Sequence, residues 1–170
     1  MRDHLIFAAV AATAALAGCA TTTGGAITAP VALINGDGQA IGTVAVGRDG
    51  DTLKLRVVAR GLSRGAHGVH LHAVGRCDGP KFDSAGGHWN PTMKQHGHQN
   101  PAGFHVGDLG NLDVAENGTV SVELRGPSAA GVDDADGTAL VIHAGTDDER
   151  TDPSGNSGGR IACAVISPPR

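Results

Sequence analysis

The sequence predicts an all-β domain, an eight-stranded antiparallel Greek-key sandwich or barrel with two long functional loops. Three observations carry that expectation. Glycine supplies 27 of 170 residues, about twice the usual ~7 % share, and each glycine costs a helix ~1 kcal/mol relative to alanine. Short apolar runs recur between glycine-rich punctuation, and two of them alternate with period two, as half-buried strands do. Two connections are far longer than the rest.

Taken in order, Val31 to Asn35 runs into Gly36-Asp37-Gly38, and Ile41 to Val46 runs into Gly47-Arg48-Asp49-Gly50. Leu53, Leu55, Val57 and Ala59 alternate with Lys54 and Arg56, one face apolar and one charged. Ala66 to Val74 and Leu109 to Val114 supply the next two strands. Glu116-Asn117-Gly118 is a hairpin signal, after which Val120, Val122 and Leu124 alternate with Ser121 and Glu123. Ala139 to His143 and Ile161 to Ser167 complete the set, and antiparallel packing follows. Between them, Gly75 to Phe104 has no repeating pattern and contains three prolines and six glycines. A structureless loop beyond ~15 residues in a compact domain is either functional or a wrong assignment. This one carries His88, His96, His98 and Cys77, so bound metal and a disulfide can order it, and it reads as functional. The second, Ala144 to Gly159, is rich in glycine and aspartate and leads into Arg160.

Composition removes several function classes. A net charge of -4 and a pI near 6.1 lack the electrostatic footprint of a nucleic-acid binder. With 40 % apolar residues the chain is not a disordered one. Residues 5–17 form an apolar run, too short for a membrane span of ~20 residues and suited to a signal-peptide core. Leu16-Ala17-Gly18-Cys19 resembles the lipobox of bacterial lipoproteins, in which the cysteine becomes the lipid-modified first residue. The rival is ordinary cleavage after Ala15-Leu16-Ala17, which would leave Cys19 a free thiol. The expected organisation is therefore a lipoprotein signal peptide over 1–18, a flexible tether over 19–30 and one domain over 31–170. The expected place is the periplasm or cell envelope, with the membrane reached only through a lipid on Cys19. Ala20 after that cysteine favours the outer membrane. Export also permits a disulfide, for which only Cys77 and Cys163 remain.

Seven histidines fall between residues 67 and 105. His70-Leu71-His72 lies in an alternating strand, so both imidazoles project from one face, about 7 Å apart at their Cα atoms, and can chelate one ion. Alone that pair is a weak signal, since an exposed edge strand can carry the same pattern. His88, His96, His105 and Asp108 add three imidazoles and a carboxylate, an ordinary closed tetrahedral zinc set. His70, His72 and His143 offer imidazoles suited to copper, but one more is needed. Counting ligands suggests two adjacent ions and does not say whether they share a residue.

Five segments, in order, resemble the motifs of the copper,zinc superoxide dismutases, and together they span about residues 31 to 167. They are Gly65-Ala66-His67-Gly68-Val69-His70-Leu71-His72, Gly86-Gly87-His88-Trp89-Asn90-Pro91, His105-Val106-Gly107-Asp108-Leu109-Gly110-Asn111, Leu140-Val141-Ile142-His143, and the run from Gly155-Asn156-Ser157 through Gly158-Gly159-Arg160 to Ile161-Ala162-Cys163. The resemblance implies one copper ion on His70, His72, His88 and His143. It implies one zinc ion on His88, His96, His105 and Asp108, with His88 bridging the two as an imidazolate. Asp147 matches the carboxylate that links His70 to His96 and fixes both tautomers. Cys77 and Cys163 match the family disulfide, and His67 matches a histidine that pins backbone. The implied reaction is dismutation of superoxide to dioxygen and hydrogen peroxide by a redox-cycling copper, with His88 moving a proton and Arg160 docking the anion, so that the cell envelope is protected from extracytoplasmic superoxide. Local focusing by Arg160 and the ions must then outweigh the negative net charge. His98 has no counterpart among the ligands. Val69 stands where phenylalanine is usual, and the segments Thr92 to Phe104 and Pro127 to Thr138 look bacterial. They leave open a homodimer of bacterial type, with Trp89 either an exposed dimer anchor or a loop-packing residue. The rival class is a metal-delivery protein without turnover, for which the full ligand set and Arg160 would be unneeded.

Overall fold

A computed structural model describes residues 29–170, so the signal peptide, nearly all of the tether, and Cys19 lie outside the described residues. Eight strands follow in chain order: β1 Val31–Asn35, β2 Ala40–Asp49, β3 Thr52–Arg60, β4 Gly65–His72, β5 Asp108–Val114, β6 Thr119–Gly126, β7 Thr138–His143 and β8 Arg160–Ser167. They hydrogen-bond in the order β5-β4-β7-β8-β1-β2-β3-β6, and every pairing is antiparallel. The two end strands β5 and β6 adjoin through a tight turn at Ala115 to Thr119, which makes a nearly closed barrel. Connections β3–β4 and β6–β7 each skip two strands, which is the Greek-key feature.

Two strand boundaries differ from the sequence expectation by more than one residue. β2 continues through Gly47 and Arg48, because pairing with β3 persists to Asp49 opposite Thr52 and the turn falls at Gly50, with φ of 58°. β4 stops at His72 because the next donors turn to the long loop: Ala73 N–H donates to Gly87 O and Val74 N–H to Ala85 O.

Alternation decides what the barrel buries. Leu33, Val44, Leu53, Leu55, Val57, Val69, Leu71, Leu112, Leu140 and Ile142 fill the interior, each worth ~1.5–3 kcal/mol when fully buried. The outward faces of β4 and β7 are also covered, since all six residues of β7 are buried. There Phe82 and Ala85, on the loop joining β4 to β5, pack against Ala139, Val141 and Cys163. The loop holds only one 3₁₀ turn, Asp83–Ala85, and is tied down by the Cys77–Cys163 disulfide across a sequence separation of 86. Trp89 is buried in the main core, with 4 % exposure. It is a packing residue, and the exposed dimer anchor is set aside.

Candidate metal centre

Two loops fold over the outward face of β4 and β7 and bring histidines from distant sequence into contact. His70 and His72 point outward from β4, and His143 ends β7. His88 is laid beside them by a bridge to His72 and by Trp89 N–H donating to Leu71 O at 2.8 Å. The ligand atoms of these four residues lie within 4.8 Å of one another.

In each of the four rings, one nitrogen has a hydrogen-bond partner and the other is bare, with His88 Nδ1 facing Asp108. His72 Nδ1–H donates to Gly86 O at 2.9 Å and His143 Nδ1–H to Gly158 O at 3.0 Å. His70 Nε2–H donates to Asp147 Oδ2 at 2.7 Å. That leaves His70 Nδ1 and the Nε2 atoms of His72, His88 and His143 buried without a hydrogen-bond partner. Each such orphan costs ~1–3 kcal/mol, and four converging on one point make sense only around a shared cation. Burial pushes His70 down to about 3, His72 to about 2 and His143 to about 4. All three are therefore neutral at pH 7, the state that ligates metal.

The other nitrogen of His88 opens onto a second group. Asp108 Oδ1 lies 2.9 Å from His88 Nδ1, 3.1 Å from His96 Nδ1 and 3.2 Å from His105 Nδ1. His105 Nδ1 and His88 Nδ1 are 3.3 Å apart. A tetrahedral ion with ~2.0 Å bonds has ligand edges of about 3.3 Å, so these four atoms fit one zinc-sized ion. His96 Nδ1 approaches the carboxylate without hydrogen-bond geometry, as a ligand edge would. His70 also lies within 4.8 Å of His88, His96 and Asp108. Its Nε2 is committed to Asp147, however, whereas His105 Nδ1 lies 3.2 Å from Asp108 Oδ1 and 3.3 Å from His88 Nδ1.

The carboxylates orient this pair of groups. Asp147 accepts from His70 at Oδ2 and from His96 Nε2 at Oδ1, 2.9 Å, and so ties a ring of one group to a ring of the other. Asn111 on β5 clamps its backbone, with Nδ2 donating to Asp147 O at 2.9 Å and Oδ1 accepting Asp147 N–H at 2.8 Å. Burial would raise both acids, but bonds from the histidine rings outweigh it and hold Asp108 and Asp147 well below the usual carboxylate range. Burial would likewise depress His96, yet the two carboxylates flanking it raise it to about 9. Without metal, His96 thus carries a proton between two acids, and an ion at Nδ1 takes that proton's place.

Arg160 begins β8 directly opposite His143. Its Nη1 donates to Phe82 O and its Nη2 to Gly86 O, both at 2.6 Å, and Gly86 O also accepts from His72. His67 spans His143 O at 2.7 Å and Ser63 O at 2.8 Å. His98 is exposed and lies against Phe104, 4.3 Å between ring centroids, outside both groups.

Sequence reasoning named Gly155 only as the first residue of a motif and gave it no role. At φ +62° it sits against the Asp147 carboxylate; a Cβ there would overlap Asp147 Oδ1 and lie 2.7 Å from His96 Nε2. Asn111 was legible only as part of a motif, with no hint of its clamp. Phe82 gave no signal beyond being an aromatic residue five positions after Cys77.

Comparison with known proteins agrees with this geometry. The family model described as copper/zinc superoxide dismutase matches residues 40–166. The superoxide dismutase-like protein YojM of Bacillus subtilis is 41 % identical over 145 residues, 80 % of this chain and 74 % of that protein. A copper-zinc superoxide dismutase of Aquifex aeolicus is 38 % identical over 142 residues, 79 % of this chain and 84 % of its own. The crystal structure of a SOD-like protein from Bacillus subtilis superimposes with a TM-score of 0.79 at 40 % identity, covering 83 % of this chain and 100 % of that one.

Proposed function

We propose, from the premise that the chain belongs to the copper/zinc superoxide dismutase family, that its first histidine group holds copper and its second holds zinc. The activity is dismutation of superoxide to dioxygen and hydrogen peroxide, with one ion of each metal per subunit. Copper would be held by His70, His72, His88 and His143, which converge through His70 Nδ1 and the Nε2 atoms of the other three. Zinc would be held by His88, His96, His105 and Asp108, whose Nδ1 atoms and Oδ1 converge on the other side of His88. The observation that carries the assignment is His88, whose Nε2 is an orphan facing one group while its Nδ1 is an edge of the other.

When bound, copper would supply a one-electron redox couple and zinc would supply fixed charge and structure. Arg160 docks the anion: two of its donors are pinned to loop carbonyls, which sets the direction of the rest beside His72 and His143. His88 Nε2 would serve in turn as a copper ligand and as the atom that holds a proton for the reduced anion, with its Nδ1 side keeping the ring oriented. The second proton comes from water, so that two superoxide anions and two protons give dioxygen and hydrogen peroxide. Asp147 keeps His70 and His96 in the tautomers that present Nδ1.

The setting we propose is the cell envelope, where the protein removes extracytoplasmic superoxide while anchored by a lipid on Cys19, in the outer membrane. The apolar run before Leu16-Ala17-Gly18-Cys19 and a disulfide that persists in oxidising compartments support it. A homodimer of bacterial type belongs to the same reading, on a surface other than Trp89. The test is a superoxide assay on protein stripped of copper and then reloaded: activity should vanish and return. Full activity without copper overturns the mechanism. Intact mass of protein from the membrane fraction should show acyl groups on Cys19, and an unmodified Cys19 removes the anchor.

A further inference from the structure

We infer that Asp152, on the loop joining β7 to β8, is a positioning residue for the zinc group that acts by holding the backbone of His96. Its Oδ1 accepts the His96 N–H at 2.7 Å. The same carboxylate lies 3.9 Å from His105 Nε2, the nitrogen that His105 turns away from the metal group. The next peptide donor, Gly97 N–H, goes to Asp108 Oδ2 at 2.9 Å. Two successive N–H groups at the ligand are thus held by carboxylates from different elements, one from β5 and one from the opposite loop.

The need for such a hold follows from the local fold. Residues 92–104 belong to no strand, and their ladder is a single bridge between Gln95 and Gly103. Asp147 fixes the far edge of the His96 ring through Nε2. A ring fixed at its tip is aimed only when its backbone is fixed as well; Asp152 holds the His96 N–H, and Asn100 Nδ2 donates to His96 O at 3.1 Å. Asp152 is half exposed, with 49 % of its side chain open to solvent. Solvent screening puts its effect near the low end of the 10–100-fold that such supporting groups contribute to metal affinity.

The inference rests on the two-metal reading above, and one experiment separates them. Zinc affinity is measured by chelator competition on the metal-free full chain and on D152A and D152N, and the zinc group is then filled with cobalt(II) for its visible spectrum. D152A should bind zinc about tenfold more weakly and lose intensity in the tetrahedral cobalt bands. D152N keeps an oxygen acceptor for His96 N–H and should recover most of both. Zinc affinity in D152A within twofold of wild type, with an unchanged cobalt spectrum, overturns the inference even if the variant melts at a lower temperature. So does D152N behaving no better than D152A. A wild-type chain that takes up no zinc overturns the two-metal reading as well.

Discussion

Replacing Gly155 by alanine should damage the centre without touching a ligand. The residue sits at φ +62°, where a side chain costs about 1–2 kcal/mol. Its new methyl group would occupy the space of Asp147 Oδ1, with His96 Nε2 2.7 Å away, so the carboxylate must move. Asp147 accepts from both His70 and His96 in a site only 3 % exposed. Hydrogen bonds to charged groups contribute about 1.5–3 kcal/mol each. With one of the two lost, G155A should lower the stability of the metal-free protein by about 2.5–5 kcal/mol. That is a large share of the ~5–15 kcal/mol typical of a domain. Zinc affinity should fall by about 10–100-fold as His96 loses its orientation. Urea unfolding and chelator competition read the two effects. G159A is the control, since a Cβ at Gly159 meets nothing within 4 Å, and it should stay within about 0.5 kcal/mol of wild type. A G155A protein as stable as G159A, binding zinc within twofold of wild type, would refute the claim that Asp147 is held by the space Gly155 leaves.

Three further outcomes follow from the same geometry. H143A should abolish superoxide dismutation while metal analysis still finds one zinc per chain, because His143 belongs only to the copper group; loss of both metals would contradict that division. In metal-free protein His96 is raised from 6.5 to about 9, so its stabilisation is complete below pH 6.5 and is lost as pH rises through 9. His70, His72 and His143 are depressed from 6.5 to about 3, 2 and 4, so the unfolded chain takes protons that the folded one refuses, and stability also falls as pH drops below 6.5. Urea midpoints should therefore peak near pH 6.5, and equal midpoints at pH 6.5 and 9.5 would contradict the charge on His96. Reduction of Cys77–Cys163 opens a loop of 86 residues and should cost about 4.6 kcal/mol on chain-entropy grounds, measured by unfolding with and without reductant; a loss under 1 kcal/mol would mean that Phe82 and its neighbours hold the loop unaided.

What the residue pattern discloses depends on how local its cause is. Leu53, Leu55, Val57 and Ala59 announce β3 because one face meets the core and the other meets water, and that contrast is written every second residue. The His70–His72 pair is legible for the same reason. Gly47 and Arg48 misled because pairing across a ladder overrides the turn propensity of a single glycine. The meeting of His88 and His143 with that pair has no local cause at all: it arises where β4 and β7 become neighbours through a Greek-key crossover, and resemblance to a family, rather than periodicity, anticipates it. Least legible are the groups that act through backbone. Gly155 matters for the atom it lacks, Asp152 for one peptide N–H, and Phe82 for covering an outward face that alternation alone would assign to solvent. Those three share a property that also explains their place in the protein. Each lies on one of the two long loops: Asp152 acts on the other loop, Phe82 on the strands beneath, and Gly155 on Asp147 of its own loop, which ties His70 on β4 to His96 on the other loop, so the centre exists only when both loops are closed over β4 and β7. The metal groups are thereby products of the whole fold, and damage to a loop contact far from any ligand should be read first in metal affinity and only afterwards in turnover.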